Sequence, residues 1–453
     1  MSTVAAISTP NAAGGIGIIR ISGPQAIGIA EKCFRPVSGR SVAAMAGYTA
    51  AYGQFTNGDE ILDDGVLLVY RAPKSYTGED VAELCCHGGI YVTQKVLSVV
   101  LACGASPAGP GEFTKRAFLN GKMDLAQAES VMQIISAQGE AALTAAETAL
   151  QGSVSRKIDE ICRRLVGAAA ALAVWADYPE EDVPPVENAG LAETLSACED
   201  ALAKLIRDYE NGRAVTEGVN TVICGKPNVG KSTLMNLLAG CDRSIVTPVA
   251  GTTRDVVEDT VRLGSVLLHL SDTAGLHETD DTVEKIGVDR ARQRLERASL
   301  VLAVFDLSRP LTEEDDALLS LCRAKRAVAV LNKADLPHVW DKARITEKIP
   351  HAVTVSARDE GSIETLRSAV EDVLGVEGLD FTEELLTSAR QKNCCVSALS
   401  NIRDALSALA AGMTADAVSV DVDCAVNELY ALTGKRATEE VVNEVFRRFC
   451  VGK

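Results

Sequence analysis

Several features that would assign this chain to a specialised class of protein are missing from its sequence. No stretch of about 18 apolar residues runs without a charge or a helix breaker, so no transmembrane helix is expected. The first residues contain no basic region followed by an apolar run, which argues against a secretory signal. The 13 cysteines include no C-x-x-C spacing, so we expect reduced, mostly buried thiols in a cytoplasmic protein.

An excess of positive charge is missing as well. The chain has 45 Lys and Arg residues against 62 Asp and Glu residues, which gives a formal net charge of −17. A protein that binds nucleic acid alone normally presents a basic face. Any RNA contact is therefore expected to be local, or shared with a more basic partner. The alternative is that the acidity only keeps the protein soluble.

The composition that is present indicates a soluble globular protein of two to four domains, with 453 residues, 47% of them hydrophobic and 24% charged. Residues 1–118 have a mixed α/β pattern of short apolar runs separated by turn residues. The predicted strands and helix of this part are 16–21, 65–70, 81–86 and 91–101. Two predicted loops, 75–80 and 110–116, mix glycine with charges, so they either carry binding groups or are plain polar turns.

An Ala-rich region from 124 to 177 has apolar residues at three- and four-residue spacing and predicts helix. A further helix is predicted over 191–209, with Asn211-Gly212 as its C-terminal signal. Helical patterns resume near 383 and continue to the end of the sequence.

The last helical region is broken at Gly412 and Gly434, and Thr438 is predicted to cap its final helix. The material between the two helical regions reads as a nucleotide-binding domain inserted into one helical bundle. Such a domain can move at its boundaries. The predicted domains are 1–118, 119–216, 217–378 and 379–453.

Residues 225–232 read Gly-Lys-Pro-Asn-Val-Gly-Lys-Ser and fit the phosphate-binding pattern G-x-x-x-x-G-K-[ST]. A predicted strand at 219–224 and a predicted helix at 233–239 flank them on the correct sides. Backbone N–H groups and the helix N-terminus would bind phosphate. Lys231 would neutralise the β- and γ-phosphates, and the Ser232 hydroxyl would bind Mg²⁺.

Two further motifs extend this nucleotide site. Residues 271–275 match D-x-x-G after a strand-like run, so Asp272 would hold Mg²⁺ through water and Gly275 would sense a γ-phosphate. Residues 332–335 read Asn-Lys-Ala-Asp, and an acidic side chain at Asp335 can accept from the two donors that guanine has and adenine lacks. Residues 356–358 would close over the base. Guanine nucleotide binding follows from these elements in this order.

A switch segment is predicted at 247–255, where Thr253 is the candidate second Mg²⁺ ligand and Thr252 the neighbour it could be confused with. A hairpin of two strands, 256–263 and 266–270, follows it. Small GTPases of the Ras type carry a water-orienting glutamine at the position of Leu276. Glu284 lies in the following switch region and could take that role, or it is one more solvated charge on a helix.

The residues predicted to bind the nucleotide are Asn228, Val229, Gly230, Lys231, Ser232, Thr233, Thr247, Pro248, Val249, Ala250, Gly251, Thr252, Thr253, Asp272, Thr273, Ala274, Gly275, Asn332, Lys333, Asp335, Ser356, Ala357 and Arg358.

From end to end, the chain resembles the MnmE (TrmE) family of tRNA-modification GTPases. Beside the nucleotide motifs, the segments that carry this resemblance are 14–23, 75–80, 110–116, 117–129 and the terminal 449–453, Phe-Cys-Val-Gly-Lys. The resemblance implies a multidomain α/β plus α fold, with a mixed α/β folate-binding N-terminal domain, a helical bundle and an inserted Ras-like P-loop GTPase domain. It also implies that the N-terminal domain forms a homodimer and binds a 5-formyl-tetrahydrofolate or related compound through Arg20, Glu83, Lys122 and Lys453.

The same resemblance implies that Glu284 is the catalytic glutamate that orients the attacking water. A K⁺ ion would replace an arginine finger, with ligands from Asn228, Thr247, Val249 and Thr252, and would stabilise charge on the phosphates. Its binding loop orders when two GTPase domains meet, so dimerisation would activate hydrolysis. His277 is a departure, since relatives commonly have arginine there, and this puts in doubt the contacts of that switch across the dimer.

A flavoprotein of the MnmG (GidA) type is the implied partner, with the FAD on the partner's side. Together the two would build carboxymethylaminomethyl-type groups at C5 of the wobble uridine of certain tRNAs. Cys450 is either close to this chemistry or a thiol buried beside Phe449. A regulatory switch on the ribosome stays the alternative function, and a GTPase recruited to a membrane is disfavoured because no anchor is evident.

Overall fold

The computed structural model describes residues 2–177, 188–240, 259–271, 298–340, 342–359, 361–376 and 379–453. The chain divides into two compact units. The first consists of Met1–Met132, Ser155–Glu199 and Asn393–Lys453, and the second of Gln133–Val154 and Asp200–Lys392. In the parts that the structure describes, we find no helix whose length and apolar character would let it cross a membrane. The domain boundaries at 118, 216 and 378 stay predictions.

A seven-stranded sheet forms the N-terminal part of the first unit, in the order β3-β4-β5-β6-β2-β1-β7. Its strands are β1 Val4–Ile7, β2 Ile16–Ser22, β3 Phe34–Pro36, β4 Thr49–Asn57, β5 Glu60–Tyr70, β6 Val81–His87 and β7 Ser106–Pro107. All neighbours pair antiparallel except β1 and β7, which are parallel. The three predicted strands are confirmed as β2, β5 and β6.

Two helices, α1 (Ala26–Cys33) and α2 (Ile90–Ala102), contribute to the core of this sheet, and α2 confirms the helix predicted at 91–101. The side chains of Ile19, Leu67 and Val100 are fully buried in this core. A third helix, α3 (Glu112–Leu119), begins inside the second predicted loop, so the prediction of a loop over 110–116 is wrong from Glu112 onward. The Glu112 carboxylate complements the positive end of this helix, and the buried side chains of Phe113 and Ala117 share one of its faces. The first loop, 75–80, lies between β5 and β6.

The predicted helical region after residue 124 is confirmed, although it is divided into separate helices. They are α4 Leu125–Ser136, α5 Glu140–Leu150, α6 Ser153–Asp177 and α7 Asn188–Thr216.

The predicted end of the helix at Asn211-Gly212 is wrong, because α7 continues to Thr216. Gly212 is buried and does not adopt the left-handed conformation with which glycine ends a helix. A Cβ there would lie 3.9 Å from Leu385, which is an ordinary van der Waals contact. The Arg213 side chain pairs with Glu217 at 2.6 Å and supports one more turn.

The second unit contains a six-stranded sheet in the order β13-β12-β11-β8-β10-β9, in which only β9 runs antiparallel to its neighbour. Its strands are β8 Val219–Cys224, β9 Asp259–Leu263, β10 Val266–Ser271, β11 Leu300–Asp306, β12 Ala327–Asn332 and β13 Ala352–Thr354. Its helices are α8 Lys231–Gly240, α9 Glu313–Cys322, α10 Ala343–Thr346 and α11 Ser362–Leu374. Strand β11 is absent from the predicted elements, although all seven of its residues are buried.

Three helices end the chain: α12 (Ala389–Ala410), α13 (Ala415–Thr433) and α14 (Glu439–Arg447). The predicted breaks near Gly412 and Gly434 are confirmed. Gly434 has φ +88°, and a Cβ there would lie 2.8 Å from the Phe118 ring. With sheets and helical bundle both present, the predicted multidomain α/β plus α fold class is confirmed.

Thr438 caps α14 as predicted, since its side-chain oxygen accepts from the Val441 N–H at 3.3 Å. We expect Thr438→Ala to raise hydrogen exchange of the first amides of α14 about fivefold, which corresponds to a loss of about 1 kcal/mol. Thr414→Ala is the matched control, because Thr414 occupies the N-cap of α13 without a side-chain capping bond. Equal effects of the two variants on their own helices would contradict this role.

Candidate functional site

A cavity of about 480 Å³ lies at the carboxyl ends of the parallel strands of the second unit. Its lining comes from three of the motifs that the sequence indicates: the loop before α8, the segment after β12 and the segment after β13. The lining residues are Asn228, Gly230, Lys231, Ser232, Thr233, Asn332, Lys333, Asp335, Leu336, Ser356, Ala357 and Arg358. Motifs more than 120 residues apart in sequence thus share one cavity.

The loop before α8 is shaped to present backbone N–H groups. Helix α8 begins at Lys231, and its first internal hydrogen bond is donated by the Leu234 N–H to the Gly230 oxygen at 2.9 Å. The N–H groups ahead of it have no partner within the helix, and they lie at the positive end of the helix dipole. Gly230 has φ +99°, and a Cβ there would lie 2.2 Å from Asn332 Nδ2. This arrangement fits a phosphate group.

The Lys231 ammonium group is folded over the same loop. Its Nζ donates to the Gly225 and Lys226 carbonyl oxygens, at 2.8 and 2.7 Å. Burial lowers the pKa of Lys231, because an ammonium ion loses hydration there. An anion in the cavity would favour the charged form, so the site gains from binding phosphate.

Asn332 connects the three motifs and is itself almost fully buried. Its Nδ2 donates to the Val229 oxygen at 2.8 Å, and its Oδ1 accepts from the Ala357 N–H at 3.0 Å. The Asp335 carboxylate accepts from the Ser356 hydroxyl at 2.9 Å and lines the cavity. Asn332 therefore acts as a structural link, while Asp335 keeps a carboxylate at the position predicted to read guanine.

Asp306 is a residue that the sequence motifs did not indicate. It ends β11, directly paired with Asn332, and its Oδ2 lies 2.6 Å from Lys333 Nζ. Burial alone would raise the pKa of Asp306, but hydrogen bonds from Lys333 and Ser308 hold it below its usual value. The available signal was an acidic residue ending a continuous apolar run beside the Asn-Lys-Ala-Asp strand.

Backbone strain also concentrates at this cavity. Among the described residues, the non-glycine residues with positive φ are Tyr48, Asn228 and Lys333, and the last two line the cavity at φ +63° and +64°. Such conformations cost free energy and persist where the surrounding structure imposes them, commonly at binding sites. The strain supports this cavity as the functional site of the unit.

Several predicted site residues lie outside the described residues: Thr247, Pro248, Val249, Ala250, Gly251, Thr252, Thr253, Asp272, Thr273, Ala274, Gly275, His277 and Glu284. Their roles stay predictions. Val229 is described and buried, and it contributes its carbonyl oxygen to Asn332 rather than a side chain to the cavity.

A second polar site lies in the first unit, around Arg20. Arg20 and Glu83 are paired across β2 and β6, and the Arg20 Nε–H donates to Glu83 Oε1 at 2.8 Å. The guanidinium carbon lies 5.6 Å from the centre of the Tyr76 ring and 5.4 Å from that of Phe113. A half-buried ion pair with aromatic rings at its side is a rigid polar surface.

The two polar loops, 75–80 and 110–116, meet beside this ion pair. Glu79 accepts from the Arg116 guanidinium at 3.0 Å, and the hydroxyl oxygens of Tyr76 and Thr114 lie 2.9 Å apart. Arg116 is almost fully buried, so its charge depends on these partners. The two segments therefore form one connected network, and their role in binding stays a prediction.

Residues 450–453 pack against the second loop. The Gly111 N–H donates to the Cys450 oxygen at 3.3 Å, and the Phe113 N–H donates to the Lys453 oxygen at 3.2 Å. Arg20 also reaches the Gly452 oxygen at 3.5 Å. The structure thus brings Lys453 to Arg20 and Glu83.

Burial is the main cause that lowers the pKa of Lys453, and the nearby positive charge of Arg20 adds to it. The Arg20 and Lys453 cations thus lie near the Glu83 carboxylate.

Lys122, the fourth residue predicted to contact the folate, lies beside the first polar loop. Its Nζ donates to the Pro73 oxygen at 3.2 Å.

The Cys450 side chain is exposed while Phe449 is buried, so the interpretation of Cys450 as a buried thiol is wrong. Its closeness to the Arg20 site is consistent with the other interpretation.

We expect Asp306→Asn to weaken binding of a fluorescent GDP analogue about tenfold, because a charged hydrogen bond that orients Lys333 is lost. Asp316→Asn is the matched control: Asp316 pairs with Arg344 at 2.6 Å on the surface of the same unit. Fluorescence titration measures both affinities, and melting temperatures check the fold. Equal affinities of the two variants would show that Asp306 does not orient Lys333.

Comparison with known proteins covers both units. The family model of the MnmE helical domain matches residues 125–450, and that of the GTP-binding protein TrmE N-terminus matches residues 3–122. The tRNA modification GTPase MnmE of Symbiobacterium thermophilum is 42% identical over 455 residues, covering 100% of this chain and 99% of that protein. Those of Carboxydothermus hydrogenoformans and Thermoanaerobacter pseudethanolicus are 40% and 39% identical, with the same coverage. The chain belongs to the MnmE family of tRNA modification GTPases.

Proposed function

We propose that this chain hydrolyses GTP to GDP and, with a flavoprotein of the MnmG (GidA) type, installs carboxymethylaminomethyl-type groups at C5 of the wobble uridine of certain tRNAs. The observation that carries the proposal is that one chain has two polar sites. One is the cavity lined by the loop before α8 and by the Asp335 carboxylate, and the other is the site at Arg20. Membership of the MnmE family supports the pairing of these two sites.

In this proposal the N–H groups at the start of α8 and the Lys231 ammonium bind the β- and γ-phosphates. Asp335 accepts from guanine, and Lys333, oriented by Asp306, covers the base. Ser232 and Thr253 would bind Mg²⁺, whose charge neutralises phosphate oxygens. Ser232 lies at the N-terminus of α8 and lines the cavity, which fits this assignment.

Hydrolysis needs a group that positions water and a positive charge that compensates the transition state. We assign the first role to Glu284, and the second to a K⁺ held by Asn228, Thr247, Val249 and Thr252. The left-handed backbone of Asn228 supports its part, since this strained residue lines the cavity beside the phosphate loop. Contact between the GTPase domains of two chains would order this cation site.

The Arg20 site is proposed to bind a tetrahydrofolate derivative, with Arg20, Glu83, Lys122 and Lys453 as its polar contacts. Charge and ring contacts support this: two cations and one carboxylate can bind acidic and heteroaromatic groups, and nearby aromatic rings can stack. Cys450, exposed in the segment that reaches this site, is a proposed participant in the modification chemistry.

Three domains, one of them made of two segments, and their partners complete the proposal. Residues 1–118 bind the folate and form the homodimer, 119–216 and 379–453 form the helical domain, and 217–378 form the GTPase domain. The flavoprotein carries the FAD and joins the homodimer in a heterotetramer. The net charge of −17 is consistent with a complex in which that partner makes most of the tRNA contacts. The proposed location of this work is the cytoplasm.

Replacing K⁺ by Na⁺ is expected to lower GTP turnover about tenfold or more with little effect on nucleotide affinity, because the cation acts on charge that grows in the transition state. Steady-state phosphate release in the two salts measures this. Glu284→Ala should lower turnover about a hundredfold in K⁺ and spare binding, whereas Glu364→Ala, an exposed glutamate that pairs with Arg367, should change neither. Equal turnover in both salts would remove the cation role.

Mass spectrometry of tRNA wobble uridines tests the modification role directly. Cells that lack the chain should lose the modified nucleoside, and Arg20→Ala should fail to restore it because the folate contact is gone. Arg35→Ala is the control, since Arg35 is 58% exposed in the same sheet and its polar contacts, with Gly58 and Asp59, lie at the hairpin between β4 and β5. Unchanged modification without the chain would instead favour a regulatory switch that takes no part in the chemistry.

A further inference from the structure

Two strands of the second unit lead directly to and from the proposed switch segments. Strand β9 follows segment 247–255, and β10 ends at Ser271, immediately before Asp272. Strand β10 lies beside β8, which begins just after the turn that follows helix α7, and β9 pairs with the other edge of β10. One side chain connects all these elements.

His269 on β10 contacts both of its neighbours. It is paired in register with Thr260 on β9 and with Asn220 on β8. Its Nδ1 lies 3.2 Å from Thr260 Oγ1, and its Nε2 lies 3.0 Å from the carbonyl oxygen of Glu217 in the turn between α7 and β8. The ring therefore joins the β9–β10 hairpin to that turn.

The partners of His269 decide its hydrogen positions. A carbonyl oxygen can only accept, so Nε2 carries the hydrogen and donates to Glu217. In the neutral ring, Nδ1 is then an acceptor, and it takes the hydroxyl hydrogen of Thr260. Two hydrogen bonds in the same direction thus connect Thr260 on β9, through His269 on β10, to Glu217 in the turn after α7.

The turn is shaped around the histidine ring. Gly218 has φ +79°, and a Cβ at this position would lie 2.4 Å from His269 Nε2. Any other side chain at 218 would occupy the space of the ring. The close approach means that a displacement of His269 is felt by the backbone of the turn without an intervening flexible side chain.

Glu217, in the segment between α7 and β8, is held by contacts with the last residues of α7. The Glu217 N–H donates to the Arg213 oxygen at 2.9 Å, the two side chains pair at 2.6 Å, and the Tyr209 hydroxyl reaches Glu217 Oε1 at 3.4 Å. A shift of the Glu217 carbonyl is therefore carried into α7 rather than absorbed by a loose loop.

The other end of the hairpin is held in place. Glu371 of α11 accepts from both the N–H and the hydroxyl of Ser265, at 3.1 and 2.9 Å. Strand β10 is thus anchored where it begins. A change that enters β10 from Asp272 will displace the last residues of the strand most, and His269 is two residues from the end.

We propose that His269 is a positioning residue that couples the nucleotide state of the cavity to the turn between α7 and β8. This inference rests on the proposed GTPase function, since it needs GDP and GTP to act differently on β10. It gives the inserted GTPase domain a route to the helix through which the chain enters its sheet. The coupling passes through Thr260, His269 and Glu217.

Hydrogen exchange by mass spectrometry on the full chain tests the proposal. In the wild type, the peptide covering residues 213–219 should exchange at least about threefold differently with GDP and with a non-hydrolysable GTP analogue. His269→Phe keeps a flat ring without hydrogen bonds and should abolish that difference, while the peptide covering 225–234 stays protected by both nucleotides. His351→Phe is the matched control, because His351 pairs with Asp372 at 2.9 Å elsewhere in the same unit.

Each outcome separates the two proposals. If neither nucleotide protects 225–234 in the wild type, the GTPase function fails and the coupling with it. If 225–234 is protected but 213–219 exchanges equally with both nucleotides, only the coupling is overturned. A nucleotide-dependent difference that survives in His269→Phe also overturns it. Should His269→Phe fold poorly, Thr260→Val removes only the hydroxyl and should reduce the difference, and an undiminished difference overturns the proposal.

Discussion

The nucleotide cavity depends on the buried amide of Asn332. Its two polar atoms bind the carbonyl of Val229 on one side and the N–H of Ala357 on the other. Because the residue is almost fully buried, a missing partner would leave an unsatisfied polar group, which costs about 1–3 kcal/mol. Gly230 must also lack a side chain for this amide to approach. The phosphate end and the base end of the cavity are therefore held in register by a residue that sequence motifs assign to the nucleotide.

The sequence predicts this part of the molecule well because its chemistry is local. A phosphate loop needs glycines at fixed spacing between a strand and a helix, and all of these are visible in 219–240. The supporting residues are less visible. Asp306 acts through a strand pairing with Asn332. This relation is not visible as a spacing in the sequence, because it arises from tertiary packing.

In the first unit, even more of the structure depends on tertiary contacts that sequence patterns do not show. The short strands β1, β3 and β7 have four, three and two residues, too few to show an alternation of apolar and polar side chains. Their place in the sheet follows from their neighbours. The ligand atoms of His87 and of Asp63 and Asp64 on β5 lie within 4.8 Å of one another, a grouping that the spacing of these residues in sequence does not indicate. The hydrogen bond from the His87 ring to the Asp63 carboxylate raises the pKa of His87. The resemblance to a family indicated Arg20, Glu83 and Lys453 together; periodicity alone did not.

The contact between Arg20 and Gly452 joins residues 432 positions apart in sequence. At a synthesis rate of about 5–20 residues per second, residues 450–453 are made tens of seconds after the N-terminal sheet. In that interval the Arg20–Glu83 pair lacks its covering segment, while the whole nucleotide-binding segment is made and folds. The first unit is therefore completed last, although its sheet is the first to emerge. Chaperones and proteases would therefore act on an intermediate in which the nucleotide cavity is formed and the Arg20 site is still incomplete.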